Sequence, residues 1–272
     1  WYSHGAATTA EMFAAAQKTD LEWFGFSEHS PLPSGYACGL YRHGDLSGVF
    51  PEYAREVMEL RRTATRPKVL FGMELDWIPS RRDFMETLVA AYPFDYVIGG
   101  LHYLGLFSIG SGDWNDGETA RFARYDAYYE EMADMAASGL VDVVAHPDFI
   151  KLHSFDSFHR WLKKPESLRR VERALMAMVD AGVAMELSSA GLRRAYREAH
   201  PAPAILAQIR RKNQIVRQFG QLVIRIVIAH PTATPQSRFS ATTRQGLPQT
   251  VCGSSAVRST TRIMAFTCGW DA

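Results

Sequence analysis

Apolar residues follow two alternating patterns over the first 230 residues of the chain. Stretches with apolar residues at every third or fourth position predict helices, and short apolar runs between turn residues predict strands. Capping residues support the helix ends, as with Thr8 and Glu11 before the first helix and Gly139 and Gly182 after two later ones. The predicted helices cover 8–18, 51–64, 80–92, 117–139, 166–182 and 201–213, and the predicted strands cover 21–29, 68–77, 94–104, 141–148, 183–191 and 221–231.

The order of these elements predicts an α/β fold. Six strand and helix units in succession imply a parallel sheet with crossover helices, most simply a barrel. Two long connections, 30–50 and 103–117, are rich in Gly, Pro, Ser and Asp. We expect both to be surface loops over one face of the barrel.

Composition narrows the protein class. Apolar residues make up 47% of the 272 residues, which is enough to bury a sizeable core. The three cysteines, Cys38, Cys252 and Cys268, are scattered without CxxC spacing, which argues against a disulfide scaffold and against a thiolate zinc site. No run of 18 uncharged apolar residues and no signal-peptide pattern is visible, so we expect a cytoplasmic protein without a membrane partner.

Charge is distributed unevenly along the chain. Residues 1–198 hold 28 of the 29 acidic residues, and no Asp or Glu lies between Glu198 and Asp271. The basic residues of this region form no lysine clusters and alternate with no aromatic residues, so we expect no nucleic-acid partner. We interpret 231–272 as an atypical tail rich in Ser, Thr and Arg, and our hypothesis is that it is either out of frame or disordered.

Ligand-type side chains stand at the ends of four successive predicted strands. They are His29, Glu74, His102 and His146. The carboxyl ends of the strands in a barrel share one rim, and catalytic groups collect there. Since no cysteine thiolate is close in sequence, imidazoles with a carboxylate suit Zn, Fe or Mn ions. The pattern therefore predicts a metal site at this rim.

Each of these residues also has an ordinary structural explanation. A single histidine at a strand end is usually a structural or surface residue, and Glu74 and Asp76 are suited to capping a strand or pairing with a cation. Glu28 lies next to His29 and is interpreted as an outer partner that orients the imidazole. Four ligand types at four equivalent positions favour the metal interpretation. Further histidines are predicted to lie at the surface: His43, His153, His159 and His200.

Six short motifs occur in order along the chain. They are "YSHG" at 2–5, "SEHSPLP" at 27–33, "GMELDW" at 72–77, "GGLH" at 99–102, "AHPDFIK" at 145–151 and "LSSAGLRR" at 187–194. Together they resemble the histidinol-phosphatase branch of the PHP (polymerase and histidinol phosphatase) superfamily. The resemblance covers residues 2 to 215, and no single motif carries it.

The resemblance implies a distorted (β/α)7 TIM-like barrel of the PHP type over residues 1–230, with two or three divalent metal ions. It adds His4 to the ligand set, which then reads His4, His29, Glu74, His102 and His146. Glu74, His102 and His146 are implied to be catalytic as well. Glu28 and Asp76 are implied to contact the ligands without binding the metal ions themselves. Arg193 is the candidate for bidentate phosphate capture, and Arg194 and Lys151 are the alternatives. A surface charge at a helix start is the ordinary explanation of Arg193.

The activity implied by the resemblance is hydrolysis of a small phosphorylated substrate, L-histidinol phosphate, to L-histidinol and phosphate in histidine biosynthesis. Two alternatives stay open: a PHP phosphoesterase that acts on another phosphate ester, and a catalytically impaired PHP scaffold. The motifs do not indicate the oligomeric state.

The chain departs from the family pattern at both ends. An HxH motif would precede position 4, and the family's "GSDAH" is replaced by "VRQFGQLVIRIVIAH" at 216–230. We therefore expect a chain that is truncated at its N-terminus, is out of frame from 214–218 onward and lacks four of the family's ligands.

Overall fold

A computed structural model of the chain describes residues 2–39, 41–216, 226–229 and 263–267. Its helices are α1 (Thr9–Ala16), α2 (Phe50–Thr63), α3 (Arg82–Ala90), α4 (Glu118–Ala137), α5 (Phe155–Leu162), α6 (Pro165–Ala181) and α7 (Pro203–Val216). Its strands are β1 (Trp23–His29), β2 (Lys68–Asp76), β3 (Tyr96–Gly100), β4 (Tyr103–Leu104), β5 (Phe107–Ser108), β6 (Val143–Val144), β7 (Ala184–Ser188), β8 (Ile226–Ala229) and β9 (Ile263–Thr267).

Seven strands form one curled parallel sheet in the order β8-β7-β6-β3-β2-β1-β9. The edge strands β8 and β9 approach each other, so the sheet curls toward a barrel. The predicted α/β barrel with a parallel sheet is therefore confirmed. All carboxyl ends of these strands point the same way, and the predicted ligands therefore meet at one rim.

Local sequence explains where the elements begin and what they bury. The capping box predicted for α1 is present, since the Thr8 side chain accepts from the backbone of Glu11 and the Glu11 side chain accepts from that of Thr8. Strands β1 and β2 are buried over nearly their whole lengths, which is typical of parallel strands covered on both faces. Helix α4 packs along α6, and aromatic side chains fill the space between α4 and α5: Tyr125, Tyr129, Phe158 and Trp161.

Three features of the structure were not predicted. Helix α5 lies in a stretch for which the sequence pattern predicted no element. The connection 103–117 is not a simple surface loop, because it contains the hairpin β4–β5 and buries Ile109 and Trp114. Likewise, the connection 30–50 buries Tyr41 and Leu46. Apolar residues within a Gly-rich and Ser-rich stretch were the signal for these contacts.

The predicted tail, 231–272, lies outside the described residues except for β9, which pairs in parallel with β1. The predicted strand 221–231 is described only at Ile226–Ala229, where it is β8. None of the helices in the described part of the chain combines the length and the apolar character needed to cross a membrane.

Candidate metal centre

The predicted ligands come together at the carboxyl end of the sheet. His29 ends β1 and pairs in register with Glu74 of β2, so the two side chains start from neighbouring positions. His102 follows β3, and His146 follows β6, the next strand in the sheet. His4 approaches from the segment before α1. All five predicted ligand residues thus face one small volume.

Distances within this group are short. The Nε2 atoms of His4 and His29 are 3.0 Å apart, and those of His102 and His146 are 3.2 Å apart. Glu74 lies between the two pairs, with Oε1 at 3.3 Å from His146 Nε2 and 3.5 Å from His102 Nε2, and with Oε2 at 4.0 Å from His29 Nε2. One ligand atom from each of His29, Glu74 and His102 falls within 4.8 Å of the others.

This spacing fits a bound divalent cation. With Zn–N bonds of about 2.0–2.1 Å, ligand nitrogens of a tetrahedral site lie about 3.3 Å apart, close to the two Nε2–Nε2 distances. The buried Nδ1 atoms of His29 and His146 have no hydrogen-bond partner in the described part of the chain, so hydrogen bonds at Nδ1 do not hold these two rings in place. Four imidazoles and one carboxylate form the donor set that Zn, Fe or Mn prefer.

Asp76 determines which nitrogen of His102 is available. Its Oδ1 lies 2.6 Å from His102 Nδ1, and both side chains are buried. A carboxylate at that distance holds the imidazole proton on Nδ1, which leaves a lone pair on Nε2 facing Glu74 and His146. The predicted outer role of Asp76 thus has a direct physical basis.

Gly100 makes room for the His102 ring. A Cβ at this position would lie 2.6 Å from His102 Cε1 and 3.0 Å from Glu74 Oε1. The first distance is shorter than real Cβ atoms show, and the second is at the tight end of real contacts, so a side chain at this position would displace the His102 ring and press on Glu74.

Glu28 fastens the segment that carries His4. Its carboxylate accepts hydrogen bonds from the Ser3 hydroxyl, from the Tyr2 backbone N–H at 3.2 Å and from the His29 backbone N–H at 3.2 Å. Glu28 therefore holds the backbone of His29 and not its imidazole, unlike the outer partner predicted to orient the ring, and the same carboxylate joins the two segments that carry His4 and His29.

His146 has an unusual backbone conformation. Its φ angle is +24°, which is strained for a residue with a side chain. The buried Glu186 of β7 accepts the His146 backbone N–H at 2.7 Å and thereby supports this conformation. The sequence analysis missed Glu186, although a carboxylate inside the apolar strand "VAMEL" was a usable signal.

The protonation states of Glu74 and His4 favour metal binding. Burial alone would raise the pKa of Glu74, but His29 and His146 outweigh it and hold that pKa well below its usual range. Burial, and then the neighbouring His29, lowers the pKa of His4 to about 4. At neutral pH Glu74 is therefore anionic and His4 neutral, which are the forms that bind metal ions.

The three candidate phosphate-binding residues are in different settings. Arg193 ends a 3-10 turn (Ala190–Arg193) just after β7, at the same rim as the ligands, and is exposed, whereas Arg194 is half-buried. Lys151 is fully buried, and its ammonium donates to Asp148, Glu198 and the Ala199 carbonyl. An ammonium has three hydrogens, so these contacts leave Lys151 no donor for a phosphate.

One prediction about the other histidines was wrong. His200 is 3% exposed, and its Nδ1 lies 2.5 Å from Asp148 Oδ1. It is buried because the chain returns to the sheet at this residue, where it pairs with Ser188. His159 is half-buried, 3.1 Å from Glu198 Oε1, whereas His43 and His153 are exposed as predicted.

Known proteins resemble this chain in sequence and in fold. The model of the PHP domain matches residues 1–190. A probable histidinol-phosphatase of Deinococcus radiodurans is 28% identical over 206 residues, which are 75% of this chain and 75% of that protein. The crystal structure of the putative histidinol phosphatase of Listeria monocytogenes superposes with a TM-score of 0.66 at 18% identity, covering 83% of this chain and 89% of that one.

A second solved structure has the same fold. The histidinol phosphate phosphatase of Lactococcus lactis, crystallised with zinc, L-histidinol and phosphate, gives a TM-score of 0.55 at 16% identity, over 83% of this chain and 81% of that chain. The sequence match, the curled parallel sheet and the histidine-rich rim all indicate the same family. The chain belongs to the PHP domain family.

Proposed function

We propose that this protein hydrolyses L-histidinol phosphate to L-histidinol and phosphate, with two or three divalent metal ions of Zn, Fe or Mn, in histidine biosynthesis. The observation that carries the proposal is the rim cluster of four imidazoles around the buried Glu74 carboxylate. A 28% identical relative named as a probable histidinol-phosphatase supports the choice of substrate.

His4, His29, Glu74, His102 and His146 are the proposed metal ligands. A bound divalent ion would neutralise the phosphate oxygens and lower the pKa of a water molecule toward 7. Asp76 keeps the His102 Nε2 unprotonated, Glu28 holds the His4 segment in place, and Glu186 supports the His146 backbone. Together, these contacts keep the ligand atoms of His102, His4 and His146 directed at the centre of the cluster.

Arg193 is the proposed phosphate-binding residue, with Arg194 as the alternative. A guanidinium can donate two parallel N–H groups to two phosphate oxygens, which binds the group and fixes its orientation. Arg193 follows β7 directly and therefore lies at the rim that carries the ligands. Lys151 is not part of the proposal, since its donors are used inside the protein.

A substrate comparison tests the proposal. With the protein loaded with Zn or Mn, we expect kcat/KM for L-histidinol phosphate to exceed the values for a nucleoside monophosphate and a sugar phosphate, because enzymes discriminate between substrates through contacts with each substrate's own groups. Preference for another ester would contradict the substrate assignment. A protein that binds none of Zn, Fe or Mn when these ions are added, and that hydrolyses no ester, would indicate the scaffold alternative.

Arg193→Gln tests the phosphate contact. We expect this variant to raise KM by about tenfold or more, because a charged hydrogen bond to phosphate is lost. Arg169→Gln, which changes an exposed arginine on α6, is the matched control and should leave KM unchanged. Equal KM values for the two variants would remove Arg193 from the site.

A further inference from the structure

A buried network of charges lies beside the metal centre and is not explained by metal binding. It consists of Asp148, Lys151 and His200, with exposed fractions of 0%, 0% and 3%. We propose that this network ties the loop 189–199, which carries Arg193 and Arg194, to the segment after His146, and so positions the phosphate-binding arginines relative to the metal ligands. The inference rests on the proposed function for its consequence in catalysis, but the tie itself can be measured without activity.

Lys151 joins the two sides of the network. Its Nζ donates to Asp148 Oδ2 at 2.8 Å on the side of the metal-ligand segment. On the side of the loop it donates to Glu198 Oε1 at 2.9 Å and to the Ala199 carbonyl at 2.7 Å. One ammonium thus bridges a residue two positions after His146 and the last residues of the loop.

Asp148 completes the tie from the other direction. Its Oδ1 lies 2.5 Å from His200 Nδ1, and its Oδ2 accepts the Ala202 backbone N–H at 2.6 Å as well as the Lys151 ammonium. The carboxylate thus faces an ammonium, an imidazole and a backbone N–H at hydrogen-bond distance, and a bond between an ammonium and a carboxylate is of the strong, charge-assisted kind.

The loop is closed at its base and compact along its length. Ser188 and His200 exchange backbone hydrogen bonds of 2.7 and 2.9 Å, so the chain leaves and returns at one point. A Cβ on Gly191 would lie 2.0 Å from the Glu198 carbonyl oxygen, so the two arms of the loop touch. Loops with joined ends that pack on themselves are rigid enough to hold a functional side chain.

Further contacts fix the loop on α5. The ring of Tyr196 stacks on that of Phe155 at 4.9 Å between centroids, and the Tyr196 hydroxyl lies 3.1 Å from His200 Nε2. Arg197 has a φ angle of +47°, a conformation that persists in a non-glycine residue only where its surroundings enforce it. The loop conformation is therefore imposed by its contacts, of which the charged network is the strongest set.

Glu198 is the best place to loosen the tie. Removing Lys151 or Asp148 would leave an unpaired charge in a fully buried site, which strongly destabilises a folded protein and would obscure a local effect on the loop. The Glu198 side chain is 17% exposed, and its carboxylate joins Lys151 and His159. Glu198→Ala removes the charged contact on the loop side and leaves only the Ala199 carbonyl there, while Glu198→Gln keeps an oxygen that can accept from the Lys151 ammonium.

The first test measures tryptic cleavage after Arg193 and Arg194 by mass spectrometry in the full-length protein. We expect Glu198→Ala to raise the cleavage rate by about tenfold, the scale of one charged hydrogen bond, and Glu198→Gln to restore much of the resistance. Glu166→Ala, at an exposed position of α6, is the control and should cleave like the wild type. Unchanged cleavage in Glu198→Ala would overturn the proposed tie whatever the protein catalyses.

The second test measures kinetics and binding of inorganic phosphate by the metal-loaded protein. We expect Glu198→Ala to raise KM and the phosphate inhibition constant by about tenfold, with kcat within about twofold and with unchanged metal content. In an Arg193→Gln background the same change should add little, because both act through one contact. Faster cleavage with unchanged KM and unchanged phosphate inhibition would overturn the link to phosphate binding.

The two tests separate this inference from the proposed function. A wild type that hydrolyses no phosphate ester contradicts the proposed function, yet the cleavage rates still decide whether Glu198 holds the loop. In that case, the link to phosphate is tested by asking whether millimolar phosphate with Zn slows tryptic cleavage after Arg193. Protection in the wild type that is lost in Glu198→Ala supports the link. Equal protection in both proteins, or protection in neither, overturns it.

Discussion

Gly100→Ala is the substitution that tests the packing of the metal centre most sharply. The added Cβ would lie 2.6 Å from His102 Cε1, whereas carbon atoms in contact are separated by about 3.5–4.0 Å. The imidazole must therefore move by about 1 Å, and it cannot turn away freely because Asp76 holds its Nδ1 at 2.6 Å. A misplacement of about 1 Å near a reacting centre costs about a hundredfold in rate. We expect a loss of that size in both zinc affinity and turnover.

The assay is competition of the protein with a chelator for Zn²⁺, followed by phosphate release at saturating metal. Gly48→Ala is the matched control, because a Cβ at Gly48 meets no atom within 4 Å. We expect the control to bind zinc like the wild type. If Gly100→Ala also binds zinc within about twofold of the wild type, the argument that His102 is a ligand held by close packing is wrong.

Three further predictions concern the residues around the ligands and one distant carboxyl. Asp76→Asn should weaken zinc binding by about 10–100-fold, measured by the same competition, because the amide holds the His102 proton less strongly; unchanged affinity would contradict the role of Asp76. Glu186→Ala should lower stability by about 1–3 kcal/mol in chemical denaturation, since it leaves the buried His146 N–H unpaired, and Glu186→Gln should restore most of it. Burial raises the pKa of Glu131 to about 7 from an unfolded value of 4.5. The folded protein therefore holds this proton more tightly than the unfolded chain does, and the free energy of unfolding falls as the pH rises from 4.5 through 7. Glu131→Gln should therefore raise the melting temperature at pH 8 more than at pH 5, and an equal change at both would refute this.

Much of the fold was predictable from apolar periodicity alone. The long helices and the strands β1, β2, β3 and β7 have strong patterns bounded by caps and turns, and their order determines a parallel sheet. Helix α5 and the hairpin β4–β5 were missed because they are short and lie in stretches rich in polar residues. Their stability comes from buried residues such as Trp114 and Trp161, and such tertiary contacts have no periodic signature.

The clustering of the proposed ligands was predictable because these residues occupy equivalent strand ends. His29, Glu74, His102 and His146 follow directly from that rule, while His4 needed the family resemblance. Residues that act behind the ligands were harder to find. The burial of Lys151 and His200 depends on Asp148, which joins two segments about fifty residues apart in sequence. No spacing rule on a single sequence reveals such a pairing.

The most direct test of the account is the metal dependence of phosphate release from L-histidinol phosphate. The wild-type protein is treated with a chelator, reloaded with Zn²⁺ or Mn²⁺ in steps, and compared with His146→Ala at each step. We expect activity to vanish without metal, to return with added metal in the wild type, and to stay absent in His146→Ala. Equal phosphate release by the wild type with and without metal, or full activity of His146→Ala, would contradict the account.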